Sequence, residues 1–495
     1  MNPRFLSGAT WGFSGSSVEH IETHAAHVFL VADRAFKIKK DVKLPYLDFS
    51  TVEKRRAVLH REFAINHRYA PQIYISVIEK EGEPVLVMHR FDGAQLLSRL
   101  IGHTQMDDAL ATTLAAAIVR SHVIAERAET PGAEIMAGLG AQLSQAFRSS
   151  ADIFNPAEML EFHALFSDAL KRLTPLLNKR STRGLVRLCH GDMHCGNIVN
   201  IDGKPTLFDA IEFSDKIATI DVLYDLAFLI MDLLLHNQQR GANIVLNRYL
   251  HGRRDREDLS GLAALPLFLS TRAGVRALVT ADLVHELPRN KSQHERGTAL
   301  DYFRASIAFF KPAKPELICI GGVSGTGKST LAANLASDIG PAPGAIHIRS
   351  DVERKVLAGA AETERLPATS YSRAAAREVY KAMFVRAEAV LAAGHSAILD
   401  AVFGEISECG AAEAIAHRRG VNFRGIWLEA PAALLKSRVS ARTGDASDAT
   451  AEVIDAQLGY EIGSMNWTRV NASGPAAETL GIVRRMPRLP LAVPA

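Results

Sequence analysis

The spacing of apolar positions changes character along this chain, and each change predicts a different kind of element. Near the start, Val28-Phe-Leu-Val31, Ala35-Phe-Lys-Ile-Lys39 and Val85-Leu-Val-Met88 are short runs rich in β-branched and aromatic residues. They predict three strands, with a helix over residues 51–69 between the second and third. Residues 107–151 and 155–177 carry a helical period instead. A strand-rich start followed by a helical body predicts a bilobal α+β unit. Beyond residue 315 the pattern alternates. Strand-like runs at 317–320, 345–348, 396–399 and 423–428 are separated by alanine-rich helical stretches such as 374–393 and 411–418. That order predicts an α/β unit whose parallel sheet is covered by helices.

Between the two patterns lies Lys311-Pro-Ala-Lys-Pro315. Proline stops a helix and restricts the residue before it, so this segment reads as a short stiff linker. The expected division is a first domain over 1–310, a linker over 311–315, a second domain over 316–485 and a loose proline-rich tail over 486–495.

Composition narrows the partners. The 495 residues are 47% hydrophobic and 22% charged, as in soluble globular proteins, and the length suggests roughly three ordinary domains. A net charge of +3 offers no basic surface, so nucleic acid is not an expected partner. The four cysteines (Cys189, Cys195, Cys319, Cys409) are scattered and fit a reducing compartment. The start of the chain lacks the basic-then-apolar order of a signal peptide, and the most apolar stretch, 226–235, is short and interrupted by Asp232. A cytoplasmic protein that does not enter a membrane is expected.

The most specific chemistry is the segment Gly322, Val323, Ser324, Gly325, Thr326, Gly327, Lys328, Ser329, which matches G-x-x-x-x-G-K-[ST] in full and is followed by Thr330 and a helix-forming run. Glycines let backbone N–H groups turn towards phosphates, the helix N-terminus adds positive potential, Lys328 reaches the β/γ oxygens and the Ser329 hydroxyl can ligate Mg²⁺. Far upstream, Asp192 and Asn197 stand in D-x-x-x-x-N spacing, followed by a strand, an Asp202-Gly203 turn, a second strand and Asp209. In protein kinases this arrangement places a catalytic Asp on the acceptor hydroxyl and puts the Asn and the second Asp on Mg²⁺. The neighbouring Cys189, His190, His194 and Cys195 fit no usual zinc spacing.

With its loop reading His190-Gly191-Asp192, residues 20–310 resemble the aminoglycoside phosphotransferase family. The resemblance implies Asp192 as catalytic base, Asn197 and Asp209 on the metal, and an ATP lysine on the strand 35–40. Lys37 and Lys39 share one strand face, so spacing leaves both open; the reading leans to Lys37, with Glu62 as its helix partner and Met88 lining the hinge. Asp221 and Asp225 read as structural acids. No G-x-G-x-x-G precedes the first strands, which departs from the protein-kinase pattern.

Residues 316–480 resemble small P-loop kinases of the gluconate kinase and adenylate kinase type. That likeness implies Asp351 as the residue that orients or deprotonates the acceptor, Arg354 as a grip on an anionic group of the substrate, Asp400 near the metal, and Arg438 and Arg442 as lid arginines over the ATP phosphates. Bland readings compete: Ser350 or Asp351 as a helix N-cap, Asp400 as a strand-end acid, the arginines as a solvated helix face. The turn 470–474 is a candidate adenine contact. Taken together, the chain resembles an uncharacterised bacterial class in which a phosphotransferase-like domain is fused to a P-loop kinase-like domain. The resemblance implies ATP and Mg²⁺ as cofactors and small-molecule hydroxyl acceptors as partners. Three functions stand open: a bifunctional phosphotransferase; an N-terminal binding or regulatory module with only the P-loop domain turning over ATP; or a P-loop domain that acts as a nucleotide-gated switch or a nucleic-acid end kinase, the last disfavoured by the near-neutral charge. Arg272 and Arg276 are weaker candidates for reading an anionic acceptor.

Overall fold

In β3 (Arg34–Lys39) Phe36 and Ile38 alternate with Lys37 and Lys39, so the two faces of the first sheet are covered differently. The computed structural model describes residues 2–486 apart from 24, 45–46, 103, 289–291, 442–443 and 461–464. Packing divides the described chain into two units, one of residues 1–241 with 271–306, the other of 242–270 with 307 onward. The division therefore does not fall at the linker alone, because 242–270 pack with the P-loop half.

In the first unit, β1 (Val18–Glu22), β2 (Ala26–Val31), β3, β4 (Tyr74–Lys80) and β5 (Glu83–His89) form an antiparallel sheet in the order β1-β2-β3-β5-β4. Phe36 and Ile38 point to one face and join Phe5, Trp11, Phe29, Val31, Val85 and Val87 in a core. The opposite face, carrying Lys37 and Lys39, is covered by α1 (Val52–Tyr69), which Thr51 caps by accepting a hydrogen bond from the Lys54 N–H. Leu59 of α1 is buried with Tyr74, Leu86 and Val199 on that side.

The helical body holds α2 (Asp108–Ile124), α3 (Gly132–Ser149) and α4 (Pro156–Thr182). Gly140 lets α3 approach α4: a Cβ there would lie 2.1 Å from the Phe166 ring. Next come β6 (Val186–Leu188), the hairpin of β7 (Ile198–Ile201) and β8 (Lys204–Leu207), and β9 (Thr219–Asp221), which pairs with β6. The apolar helix α5 (Val222–Leu235) is buried along almost its whole length. Helix α6 (Gln239–Arg253) enters the second unit at Ala242, and α7 (Leu265–Glu286) returns to the first at Thr271. The stretch Arg256–Glu286 is long and apolar enough to cross a membrane by composition, but 67% of its apolar window is buried, as in a core helix.

The second unit is built on a parallel sheet in the order β11-β12-β10-β13-β14. Its strands are β10 (Glu316–Gly321), β11 (Ile346–Arg349), β12 (Ala397–Asp400), β13 (Asn422–Glu429) and β14 (Thr468–Asn471). The helices used below are α8 (Lys328–Leu335), α9 (Ser350–Leu357), α10 (Arg373–Ala392), α11 (Ile406–Arg419), α12 (Ala432–Ser440), α13 (Ala451–Leu458) and α14 (Ala476–Arg485). The fold class is the expected one: a two-lobed α+β unit, then a parallel sheet covered by helices. The proline-rich tail beyond 486 lies outside the described residues, and the segment expected as a turn at 470–474 begins inside a fifth strand.

Candidate functional site

In the first unit the strand alternation brings Lys37 to the face covered by α1. There its ammonium meets Glu62 Oε1 at 2.6 Å and Asp209 Oδ1 at 2.8 Å. Burial opposes charge on Lys37, yet Asp209 and Glu62 outweigh it and hold the ammonium protonated well beyond its usual range. The same balance acts on Asp209: burial raises its carboxyl, and Lys37 more than reverses that. Lys39 faces the same side but pairs with Glu62 Oε2 and Glu212 Oε1, both at 2.7 Å, and is 4% exposed. So Lys37 meets the candidate metal ligand, and Lys39 is a buried structural partner.

Asp209 follows β8 with φ +60, a left-handed conformation uncommon for a residue with a side chain. Its N–H donates to the Tyr74 hydroxyl, and its carboxylate remains 42% exposed. Across the loop, the Asn197 amide nitrogen donates to the Asp192 carbonyl at 2.9 Å and to Asp192 Oδ2 at 2.8 Å, which leaves the amide oxygen available. His194 Nδ1 accepts the Gly196 N–H at 3.0 Å, so its other nitrogen carries the proton towards Asp192 at 3.5 Å. Burial raises the Asp192 carboxyl, but the His194 hydrogen bond and nearby positive groups hold it at about 2. Asp192 is thus an ionised carboxylate, 38% exposed and fixed in orientation.

Three side chains hold this loop: Asp225, expected as a structural acid, and Asp232 and Arg272, whose supporting roles the sequence does not announce. Asp225 accepts the backbone N–H groups of His190 (3.2 Å) and Gly191 (2.9 Å), and Asp232 accepts that of Cys195 (2.8 Å). Arg272 donates to the Gly191 carbonyl at 2.9 Å and lies over the rings of Tyr224 and Phe228. The available signal was aspartate inside a wholly apolar helix, since a buried carboxylate needs donors. Arg272 therefore supports the loop and does not read an acceptor. Arg276 sits partly buried over Tyr302. His190 takes the Asp192 N–H on Nδ1 and faces the Phe208 carbonyl with Nε2, tying the loop to β8 rather than facing a metal. Met88 is partly buried and packs against the cluster that holds Leu59, Tyr74 and Leu86.

In the second unit β10 runs into the glycine loop. Gly322 has φ +136, and a Cβ would meet the Leu428 carbonyl oxygen at 2.5 Å. Gly327, at φ +89, opens α8, which carries Lys328, Ser329 and Thr330 in its first turn. Lys328 Nζ and the Thr326 hydroxyl donate to the Val323 carbonyl, and the Ser324 N–H donates to Gln457 Oε1 of α13 at 2.8 Å. A cavity of about 270 Å³ opens beside the loop, lined by Gly325, Gly327, Thr330, Arg438, Ala472 and Gly474 among others. Arg438 donates to the carbonyls of Ala472, Ser473 and Gly474, so it braces the turn after β14 across that cavity. Arg442 lies outside the described residues.

At the carboxyl ends of β11 and β12, Arg349 stands among three carboxylates: Asp351 and Asp400 at 3.8 Å, and Asp445, with which it is hydrogen-bonded. Asp400 is 2% exposed and accepts from His347 Nε2 at 3.2 Å. Burial raises its carboxyl, but His347, Lys328 and Arg349 hold it low. Asp351 differs: burial and the neighbouring Asp400 push its carboxyl up against the pull of Arg349 and Lys328. Neither Ser350 nor Asp351 caps α9, because the N-cap is Arg349 and no side chain closes that turn. Arg354 donates to the Ser370 carbonyl at 2.7 Å and lies over Tyr371, so it holds the turn at 368–371. Each unit therefore presents the hard oxygen donors that suit Mg²⁺: Asn197 and Asp209 in the first, Ser329 and Asp400 in the second.

Residues 50–264 match a family model described as a phosphotransferase enzyme family, and residues 317–460 match one described as an AAA domain. Over 489 residues the chain is 30% identical to uncharacterized protein Rv2004c of Mycobacterium tuberculosis (strain ATCC 25618 / H37Rv), covering 93% of each. Among solved structures, a choline/ethanolamine kinase family protein from Mesorhizobium loti shares 16% identity at a TM-score of 0.38, over 60% of this chain and 93% of that one. A gluconokinase from Sinorhizobium meliloti 1021 shares 21% identity at a TM-score of 0.25, over 34% of this chain and 89% of that one.

Proposed function

This chain, with a phosphotransferase-family domain followed by a P-loop domain, belongs to the family of its mycobacterial relative, and we propose that it is a bifunctional ATP- and Mg²⁺-dependent kinase acting on hydroxyls of small molecules. The observation that carries the reading is that each unit gathers a lysine and oxygen donors beside a separate carboxylate, which we read as phosphate-binding, metal-binding and proton-accepting groups. In the first unit these are Lys37, Asn197 and Asp209, with Asp192 beside them. In the second they are Lys328, Ser329 and Asp400, with Asp351 near by.

Phosphoryl transfer asks little covalent chemistry of a protein; it needs charge neutralised and a nucleophile aligned. Mg²⁺, when bound, neutralises the phosphate oxygens. Lys37 then binds phosphate by exchanging its contact with Asp209 for ATP while Glu62 keeps it in place. Asp192, ionised and held by Asn197, accepts the hydrogen bond of the acceptor hydroxyl and receives its proton as the bond to the γ-phosphorus forms and the bond to the departing ADP oxygen breaks. In the P-loop unit Lys328 leaves the Val323 carbonyl for the β/γ oxygens. Asp351, whose carboxyl burial and Asp400 push upward, takes the acceptor proton as the bond to the γ-phosphorus forms and the bond to the departing ADP oxygen breaks. Arg438 borders the nucleotide through the 472–474 turn, and Arg354 reaches an anionic acceptor on releasing Ser370. Small metabolites in the cytoplasm are the acceptors this chemistry fits; a net charge of +3 gives polynucleotides no basic track.

One observation favours a second reading, in which the first unit only binds and the P-loop unit alone turns over ATP. The β1–β2 turn is closed by Thr23 against Ala26, with no glycine loop to wrap the phosphates. Mg²⁺-dependent ATP turnover with pooled cell metabolites separates the two, measured for the parent, Lys328→Ala and Asp192→Asn. Separate partial losses are expected. Loss with Lys328→Ala and none with Asp192→Asn would reject the bifunctional reading.

A further inference from the structure

We propose that Asn247 is a positioning residue of the P-loop site, acting on Asp400 through His347. The inference rests on the reading of Asp400 as a metal-side carboxylate. It concerns a residue upstream of the linker and outside the segment that matches the P-loop family model.

The argument begins with an edge. β11 closes one side of the parallel sheet and pairs with β12 alone among the strands, so its outer N–H and C=O groups need other partners. Helix α6 supplies them. Asn243 and Asn247, spaced i,i+4, share one helix face. Asn247 Oδ1 accepts the His347 N–H at 2.8 Å, and its Nδ2 donates to the Ala345 carbonyl at 3.2 Å. Asn243 Nδ2 donates to the same carbonyl at 3.1 Å. One side-chain amide thus offers the acceptor and the donor that a neighbouring strand would offer. The helix is fixed where it stands: Val245, Leu246 and Tyr249 are fully buried, and Arg248 pairs with Glu362 at 2.8 Å.

What this fixes is a line of chemistry along β11. His347 is held at its backbone by Asn247, and its ring reaches Asp400 Oδ2 at 3.2 Å. Two residues on, with the same strand-face period, Arg349 reaches Asp400 and Asp351 at 3.8 Å and hydrogen-bonds Asp445. The height of β11 therefore sets both groups that orient Asp400. Asn243 makes the informative comparison: it shares the Ala345 carbonyl with Asn247 and accepts from Asn247 Nδ2 on its own carbonyl (3.0 Å) and Oδ1 (3.2 Å), but the His347 N–H goes to Asn247.

The test is calorimetric binding of ADP, with and without Mg²⁺, to the full chain carrying Lys37→Ala so that the P-loop site is read alone. Asn247→Ala should weaken Mg²⁺-ADP binding by about tenfold while metal-free ADP binding changes less than about twofold. Asn243→Ala should lower the melting temperature yet leave both affinities near the parent's. Asn247→Asp keeps the acceptor for the His347 N–H and should retain most of the Mg²⁺-dependent affinity, which keeps the proposal testable if Asn247→Ala does not fold. Equal weakening by Asn243→Ala and Asn247→Ala, or a fall in melting temperature with the affinities unchanged, would mean that both asparagines merely cover an edge and would overturn the proposal. Asp400→Asn separates the two levels: if it leaves Mg²⁺-ADP binding intact, the reading of Asp400 itself fails, whatever Asn247 does.

Discussion

Glu62 and Lys37 stand 2.6 Å apart with the carboxylate wholly out of water, and the second oxygen of Glu62 holds Lys39 at 2.7 Å. The strand places both lysines on one carboxylate, but only Lys37 continues to Asp209. Lys37→Ala should therefore abolish nucleotide binding in the first unit, with first-site turnover falling by about 10²-fold or more. Lys39→Met should bind nucleotide normally and show its effect in thermal melting. Glu62→Gln leaves two buried ammonium groups short of charge and should cost about 3–5 kcal/mol. Nucleotide titration alongside melting curves checks all three; a Lys39 variant that loses binding first would reverse the assignment.

The sequence pattern reached the central strands and the edge strand β11 but missed three other edge strands. β1, β4 and β14 were not anticipated, and each lies at the edge of its sheet. In β14 a single residue, Val470, is buried, so no alternation of apolar and polar positions announces the strand. The G-x-x-x-x-G-K-S loop and the Asp192, Asn197, Asp209 set were legible because their chemistry demands fixed residue types at fixed spacing. Supporting groups had no such signature. Arg349 and His347 gain meaning only when β11 and β12 are side by side, and Asn247 only when α6 lies along β11. The likeness to small P-loop kinases implies Arg354 as an anion grip, whereas its partners Ser370 and Tyr371 lie too far along the chain to be inferred.

Asp225 anchors the catalytic loop through the N–H groups of His190 and Gly191, and it also faces His122 at 3.1 Å. Asp225→Asn replaces an acceptor oxygen by a donor against these groups. Unfolding in urea should show a loss on the order of 3 kcal/mol for the first unit. At temperatures where the variant remains folded, first-site turnover should still fall, because Asp192 follows directly on the two residues released. A stable variant with full turnover would remove Asp225 from the account of the loop.

Gly322→Ala tests the phosphate loop without touching any charge. The added Cβ would meet the Leu428 carbonyl oxygen at 2.5 Å in a backbone conformation, φ +136, that alanine does not adopt readily. Both effects force the loop to move, and nucleotide affinity of the P-loop unit should fall below detection in calorimetry. Gly327 has open space around its Cβ position, so Gly327→Ala carries only the strain of φ +89 and should retain measurable binding. Equal affinity in the two variants would contradict the steric argument.

His395 gives the P-loop unit an acid-sensitive stability. The ring is 1% exposed, and burial depresses its pKa from 6.5 to about 4, although a backbone hydrogen bond involving Gly344 pulls the other way. Between those two values the unfolded chain takes up a proton that the folded chain refuses, so folding stability falls as pH drops through that window. The loss is on the order of 3 kcal/mol when the window has been crossed, since each pK unit corresponds to about 1.4 kcal/mol. Above pH 6.5 both states are neutral at this residue and the contribution is flat. His395→Leu removes the titrating group while keeping an apolar body in the site. Urea unfolding of the P-loop unit at intervals from pH 7.5 to about pH 4 should show parent and variant diverging steadily in the variant's favour below pH 6.5. Parallel curves across that range would show that His395 is solvated or charged in the folded protein.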